Sequence, residues 1–370
     1  MITFKVNAMI GTDTAEGDFL THLVSELLKS SPRREFDNVD LVRFPSPAPP
    51  MRTVVKTKLV ELAASRGFYR ASAINDVLLS QVLKTPGLAD AYGLLEDEAS
   101  RYLFVKLLAY RILGHQHVRL PSNSARYWEL RGSLEQYVEK RGVVDRIPIL
   151  GSLDLCNING LRLKIHHLGI LHTFLLEQYR CQRGGVGVKL GDIVIDAGGC
   201  WGDTALYFAQ NAARVFCFEC MPSNQKIIRE NLALNLSLAE KISVVPKALW
   251  SQSGQKVIFE DNGAGSHRSS DGRGIEVETL TIDDLVSGNS LERVDFIKMD
   301  IEGAEPDALI GGERTIRRHR PQLAISLYHD VSHFALIPNW IASLNLGYRF
   351  YLDHFTIHQE ETVLFARSDA

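Results

Sequence analysis

Residue types that can do chemistry gather in three places along the chain. Residues 191–204, GDIVIDAGGCWGDT, place an acid, Asp196, at the end of a short apolar run, and Gly198, Gly199 and Gly202 follow it closely. Glu219 ends a second apolar run about twenty residues later. Farther on, Asp300 and Glu302 stand two apart in KMDIEGAE, and His329 follows a further apolar run. The run Ile193, Val194, Ile195 is what a strand buried on both faces requires. Glycines after such a strand let the backbone approach a ligand, and a following helix start offers free N–H groups. A carboxylate closing the next strand can accept hydrogen bonds from both hydroxyls of a ribose. Carboxylates and an imidazole at later strand ends are suited to moving a proton.

The spacing narrows the ligand. The glycines are adjacent and then three apart, so the dinucleotide fingerprint G-x-G-x-x-G does not occur, and no Gly-Lys-Ser/Thr follows to make a phosphate loop. Asp-x-Gly on one strand with an acid on the next is the pattern of an S-adenosylmethionine (SAM) site.

Around these residues, apolar runs alternate with amphipathic segments as a doubly wound sheet requires. Strands are expected at residues 193–197, 215–219, 242–246, 294–299 and 323–327. A closing antiparallel hairpin is expected at 348–353 and 362–366. Helices are expected over 222–236, 306–319 and 335–344, and a hairpin over 247–260. Residues 1–146 read as a mainly helical domain, with helices at 18–29, 54–64, 73–83 and 97–113. The proline-rich residues 44–52 cross between them. One or two strands over 152–179 lead into the second domain, 147–370.

Composition sets outer bounds. A chain of 370 residues with 45% hydrophobic and 23% charged content is long enough for two cores. A net charge of −3 gives no reason to expect nucleic acid. No apolar run reaches membrane-spanning length, and the first residues lack a signal-peptide pattern, so a cytoplasmic location is expected. The five cysteines are odd in number and scattered, which suits a reducing compartment. Cys217 and Cys220 form a C-x-x-C best read as strand packing, whereas Cys200 in the glycine bend is expected to line a ligand site. Tyr102 and Lys106 form a Y-x-x-x-K, the pair of short-chain reductases, on the wrong side of the glycine bend. Self-association through the helical domain is compatible with the sequence.

The segments DAGGCWGDTALYFA, FECMPSN, RENLALN, TLTIDDL and DFIKMDIEGAE, in this order, resemble the FkbM-type SAM-dependent methyltransferases. The resemblance covers roughly residues 152–367. It implies a class I (Rossmann-like) α/β fold with a seven-stranded, mostly parallel sheet. It also implies methyl transfer to a hydroxyl of a sugar or glycan precursor or a secondary metabolite. On this reading Asp196, Gly198, Gly199, Cys200, Trp201, Gly202, Thr204, Glu219 and Asn224 hold SAM. Two departures stand out: the family usually has Gly-Ala-Asn where this chain has Gly198-Gly199-Cys200, and proline where it has Cys220. Asp300 or Glu302 is expected as the base, with His329 beside it. A cap on the following helix is the plainer role for the two acids. A divalent metal held by Asp300, Glu302 and His329 is not favoured, because those residues form no compact ligand motif. Arg314, Arg317, Arg318 and Arg320 read as a solvated helix end. Two rival functions are a nicotinamide-dependent oxidoreductase or epimerase and a non-catalytic SAM-binding regulatory module. The missing fingerprint speaks against the oxidoreductase.

Overall fold

The computed structural model describes residues 14–31, 74–147, 151–269 and 272–369. The expected helix at 54–64 and the proline-rich crossing at 44–52 lie outside the described residues.

The first described segments are helices: α1 (Thr14–Ser30), α2 (Asp76–Lys84), α3 (Leu88–Leu94), α4 (Glu98–Leu113) and α5 (Ala125–Gly132). Helix α4 is bounded as its sequence dictates. The Asp97 side chain accepts the Ser100 N–H at the start, and Gly114 follows the last turn. Phe19, Leu23 and Leu27 of α1 and Phe104 and Leu108 of α4 join one continuous apolar core with the main sheet. The Phe104 ring meets that of Phe334 edge-on at 5.6 Å. Buried Lys106 pairs with Glu26 at 2.6 Å, and Tyr102 is half exposed, so the Y-x-x-x-K serves helix packing.

A three-stranded antiparallel sheet follows: β1 (Val138–Ile147), β2 (Gly151–Ile158) and β3 (Leu161–Ile165). Residues 167–175 then form one helical turn running into a π-helical one, Ile170–Leu175.

The main sheet begins with β4 (Ile193–Ala197), helix α6 (Asp203–Ala209), β5 (Arg214–Phe218), helix α7 (Pro222–Leu234) and β6 (Ile242–Val245). Next come β7 (Ala248–Leu249), β8 (Lys256–Glu260), β9 (His267–Arg268), β10 (Ile275–Leu280) and helix α8 (Ile282–Gly288). The chain closes with β11 (Phe296–Met299), α9 (Glu305–Ile310), α10 (Glu313–His319), β12 (Gln322–Ser326), α11 (His333–Ser343), β13 (Tyr348–His354) and β14 (Thr362–Ser368). Seven of these strands form one sheet in the order β13-β14-β12-β11-β4-β5-β6. From β12 to β6 neighbours run parallel, while β14 is antiparallel to both β12 and β13. The sheet is therefore mixed. The expected closing hairpin is present, with its second strand inserted next to β12. Val194, Ile195 and Ala197 are fully buried, which is why β4 reads as an uninterrupted apolar run.

Two expectations fail locally. Residues 247–260 are not a hairpin: β7 and β8 each pair with β10, in a four-stranded sheet ordered β7-β10-β8-β9. Local turn signals at Ser253 and Gly254 could not reveal that the partner lies twenty residues on. The helix expected over 306–319 breaks at Gly311, where a Cβ would lie 2.1 Å from the Trp250 carbonyl oxygen. Close approach to a neighbouring backbone wins over helical continuity.

The RENLALN segment ties the sheets together. Asn231 and Asn235, one turn apart at the end of α7, hydrogen-bond the backbone N–H and C=O of Lys164 and Arg162 on β3. The two amides thus satisfy the edge of a strand that would otherwise be open. Asn231 Nδ2 also donates to the Trp201 carbonyl at 2.8 Å, anchoring the glycine bend.

Candidate active site

The bend after β4 is held from three sides. Asp196 is fully buried; its Oδ2 accepts from the Thr204 hydroxyl at 2.7 Å, and its Oδ1 lies 3.1 Å from Lys298 Nζ. Lys298, on the neighbouring strand β11, also donates to the Gly198 carbonyl at 2.6 Å. Burial alone would lower the lysine's pKa, but the charges of Asp196 and Asp300 outweigh that and raise it. Gly198 has φ of +84°, and a Cβ there would stand 1.8 Å from the Asp300 carbonyl oxygen, so no other residue fits. Cys200, at φ +44°, takes a left-handed conformation without being glycine.

Two adjoining cavities open at this bend. The smaller, about 70 Å³, is lined by Glu219, Asn224, Phe218 and Ile301 among others. Burial pushes the Glu219 carboxyl up to about 7, against hydrogen bonds from the Met221 N–H, the Asn224 side chain and the Cys200 N–H. Asn224 also donates to the Gly263 carbonyl at 3.1 Å, fixing a turn over the cavity. The larger cavity, about 350 Å³, is bordered by Trp201, Thr173, Lys298, Tyr179, Tyr328 and Glu361 among others. Gly198, Cys200, Ala264, Asp300 and Glu302 line both, so the two are continuous. The π turn supplies Thr173, whose hydroxyl donates to Asp203 at 2.8 Å.

At the far side the ends of β11 and β12 bring Asp300, Glu302 and His329 together. His329 Nε2 lies 3.4 Å from Asp300 Oδ1 and 3.5 Å from Glu302 Oε2, and its Nδ1 lies 2.9 Å from Glu305 Oε1. Burial would lower the pKa of His329. The hydrogen bond and charge of Glu305, with the charges of Asp300 and Glu302, raise it instead to about 9. Asp300 accepts from two phenols, Tyr179 at 2.8 Å and Tyr328 at 2.9 Å. Burial would raise its pKa, yet His329, Lys298 and these hydroxyls bring it below the ordinary value. Glu302 is the opposite case: burial lifts its carboxyl to about 7, with Asp300 and Glu305 adding to the rise and His329 opposing it. It sits at φ +53°, a second left-handed residue facing the cavity.

Residues 186–350 match the methyltransferase FkbM domain. Over these residues the chain resembles the FkbM methyltransferases. The chain is 29% identical to 2-O-methyltransferase NoeI of Sinorhizobium fredii (strain NBRC 101917 / NGR234), over 36% of this chain and 62% of that relative. It thus spans less than two thirds of the relative's length. Its fold is similar to that of a methyltransferase FkbM from Methylobacillus flagellatus KT, with a TM-score of 0.51 and 19% identity over 85% of this chain and 69% of that one.

Within the matched residues 186–350, Gly198, Cys200, Trp201 and Thr204 line the larger cavity and Glu219 and Asn224 the smaller. Asp196, Gly199 and Gly202 stand behind the surface. Gly199 N–H donates to the Phe218 carbonyl at 2.8 Å, and Gly202 precedes α6. His354, the last residue of β13, is buried and hydrogen-bonded to Thr362, apart from these cavities. Of the arginines at 314–320, Arg314 pairs with Asp283 and Asp284 and Arg317 with Glu313 on the α8–α10 surface. Residues not anticipated are Lys298, Tyr179, Tyr328, Glu305, Thr173 and Asp203. Of these only Lys298 left a signal, a cation inside the apolar run FIKM that demands a buried acid as partner.

Asp300, Glu305 and His329 each offer one atom within 4.8 Å of the others, a spacing open to a cation. The donors fit protons better. His329 Nδ1 and Glu305 Oε1 are at hydrogen-bond distance, and Glu305 Oε1 also accepts the Ile301 N–H at 2.9 Å. Both Asp300 oxygens already accept phenolic protons.

Proposed function

We propose that this chain is a SAM-dependent O-methyltransferase acting on a hydroxyl of a sugar, glycan precursor or secondary metabolite. The observation that carries the reading is one continuous cleft, running from the acid Glu219, past the Gly198 bend, to Glu302 and Asp300. In this reading Glu219 accepts the ribose hydroxyls of SAM, and the bend from Gly198 to Thr204 faces its methionine end. SAM supplies an electrophilic methyl group when bound.

The remaining work is positional. Acceptor oxygen, methyl carbon and sulfur must be brought into line, and the acceptor must lose its proton. Asp300 is held ionised by two phenols and an imidazolium, which makes it a poor proton acceptor. His329 already carries its proton below about pH 9. Glu302, with a carboxyl near 7 and a place on the cavity wall, is the group suited to take the hydroxyl proton. Asp300 and His329 are positioning residues that fix its surroundings.

Calorimetry with SAM, NAD and NADP tests the cofactor, with SAM alone expected to bind; binding of NAD and not SAM would overturn the assignment. Glu302→Gln is expected to keep SAM binding and to slow methyl transfer by ~10²-fold or more, the usual worth of a positioned base. Full turnover in that variant would remove Glu302 from the mechanism.

A further inference from the structure

Carboxylates outnumber the basic side chains on the wall of the larger cavity, where Lys298, His166 and His172 also stand and His172 lies 3.9 Å from Glu361. Five carboxylates line it: Asp203, Asp300, Glu302, Glu360 and Glu361. Among the described residues on its wall no arginine occurs, and the lysine, Lys298, is committed to Asp196 and the Gly198 carbonyl. Glu361 and Glu360 come from the connection between β13 and β14, on the side away from Glu219. Glu361 accepts from the Gln178 amide, and Glu360 Oε2 is shielded from solvent with no hydrogen-bond partner among the described residues.

Resting on the methyltransferase reading above, we propose that the acceptor is an uncharged polyol or an amino-bearing sugar, and that a phosphorylated form of the same sugar is rejected. Hydroxyl and ammonium groups donate hydrogen bonds to carboxylates; a phosphate has none to give and meets like charge in a partly enclosed space. The same negative field suits the rest of the reaction. It attracts a sulfonium cofactor, and it keeps Glu302 basic enough to hold the departing proton. The arginines that could have served a nucleotide sugar lie away from this wall, with Arg314 engaged by Asp283 and Asp284 and Arg317 by Glu313.

The test uses the full chain saturated with S-adenosylhomocysteine, and binding is followed by calorimetry and ligand-observed NMR. The probes are methyl glycosides, the corresponding 2-amino-2-deoxy glycosides and the corresponding sugar 1-phosphates. The neutral or amino probe is expected to bind at least tenfold more tightly than its phosphate. Glu360→Gln with Glu361→Gln is expected to narrow that ratio several-fold, and so is added salt. Equal or tighter binding of the phosphate would overturn the proposal, and so would failure of every neutral and amino probe to bind. A protein that does not bind S-adenosylhomocysteine in the same experiment would instead sink the cofactor reading beneath it.

Discussion

Replacing His329 by glutamine removes a buried positive charge while leaving an amide able to donate to Glu305. The imidazole's pKa rises from an ordinary 6.5 to about 9 in the folded chain. At about 1.4 kcal/mol per pH unit, that difference corresponds to roughly 3 kcal/mol of folding stability. Its sign is fixed by the direction of the rise. Because the folded value lies above the unfolded one, the contribution is complete below pH 6.5 and disappears as pH climbs through about 9. Urea unfolding of the parent and of His329→Gln at pH 6, 7.5 and 9.5 would read it directly. The stability gap should be widest at pH 6 and shrink by roughly 3 kcal/mol at the alkaline end. A gap that stays constant across this range would show that folding does not raise the imidazole's pKa, so that the native ring is mostly neutral above pH 7. It would also return His329 to the list of bases, because a neutral imidazole beside Glu302 could take the acceptor's proton itself.

Further expectations follow from the same geometry. Lys298→Met leaves Asp196 buried with one remaining hydroxyl donor, which should cost ~3–5 kcal/mol in unfolding free energy. In an Asp196→Asn background the same change should cost less than half as much, and an equal loss in both would dissolve the pair. Glu219→Gln should weaken SAM binding by about tenfold or more, the worth of a charge-assisted hydrogen bond, with little effect on the unfolding midpoint. Methyl transfer should persist in EDTA; complete loss restored by a divalent ion would reverse the choice of protons over a metal around His329.

The parts of this fold that were readable in the sequence are those where local signals and tertiary context agree. The apolar run at 193–195, the Asp97 cap and Gly114 stop of α4, and the proline opening α7 each carry their cause within a few residues. The β7–β10–β8 arrangement does not, because each strand is short and its partner distant. At the site, Asp300, Glu302 and His329 stood out because polar residues follow buried strands there. Tyr179 and Glu305 did not. A phenol in a loop and an acid at a helix start have ordinary local explanations, and only the closed sheet sets them against Asp300 and His329.

The choice among the three proton acceptors finally rests on a balance of charges across the strand ends. From β4 outward the side chains alternate in sign: Asp196 against Lys298 at 3.1 Å, Asp300 against His329 at 3.4 Å, and His329 against Glu305 at 2.9 Å. Lysine and imidazolium thus serve the carboxylates of Asp196, Asp300 and Glu305, each of which also accepts a hydroxyl or amide proton. Glu302 is an additional negative charge in this series. It lies 3.5 Å from an imidazolium already shared with two other acids, and its carboxyl is driven up rather than down. A chain of paired charges is a stable resting arrangement that gains little by taking a proton. The carboxylate left over at its end, on the cavity wall, is the one for which protonation relieves repulsion, and that relief is what a general base requires.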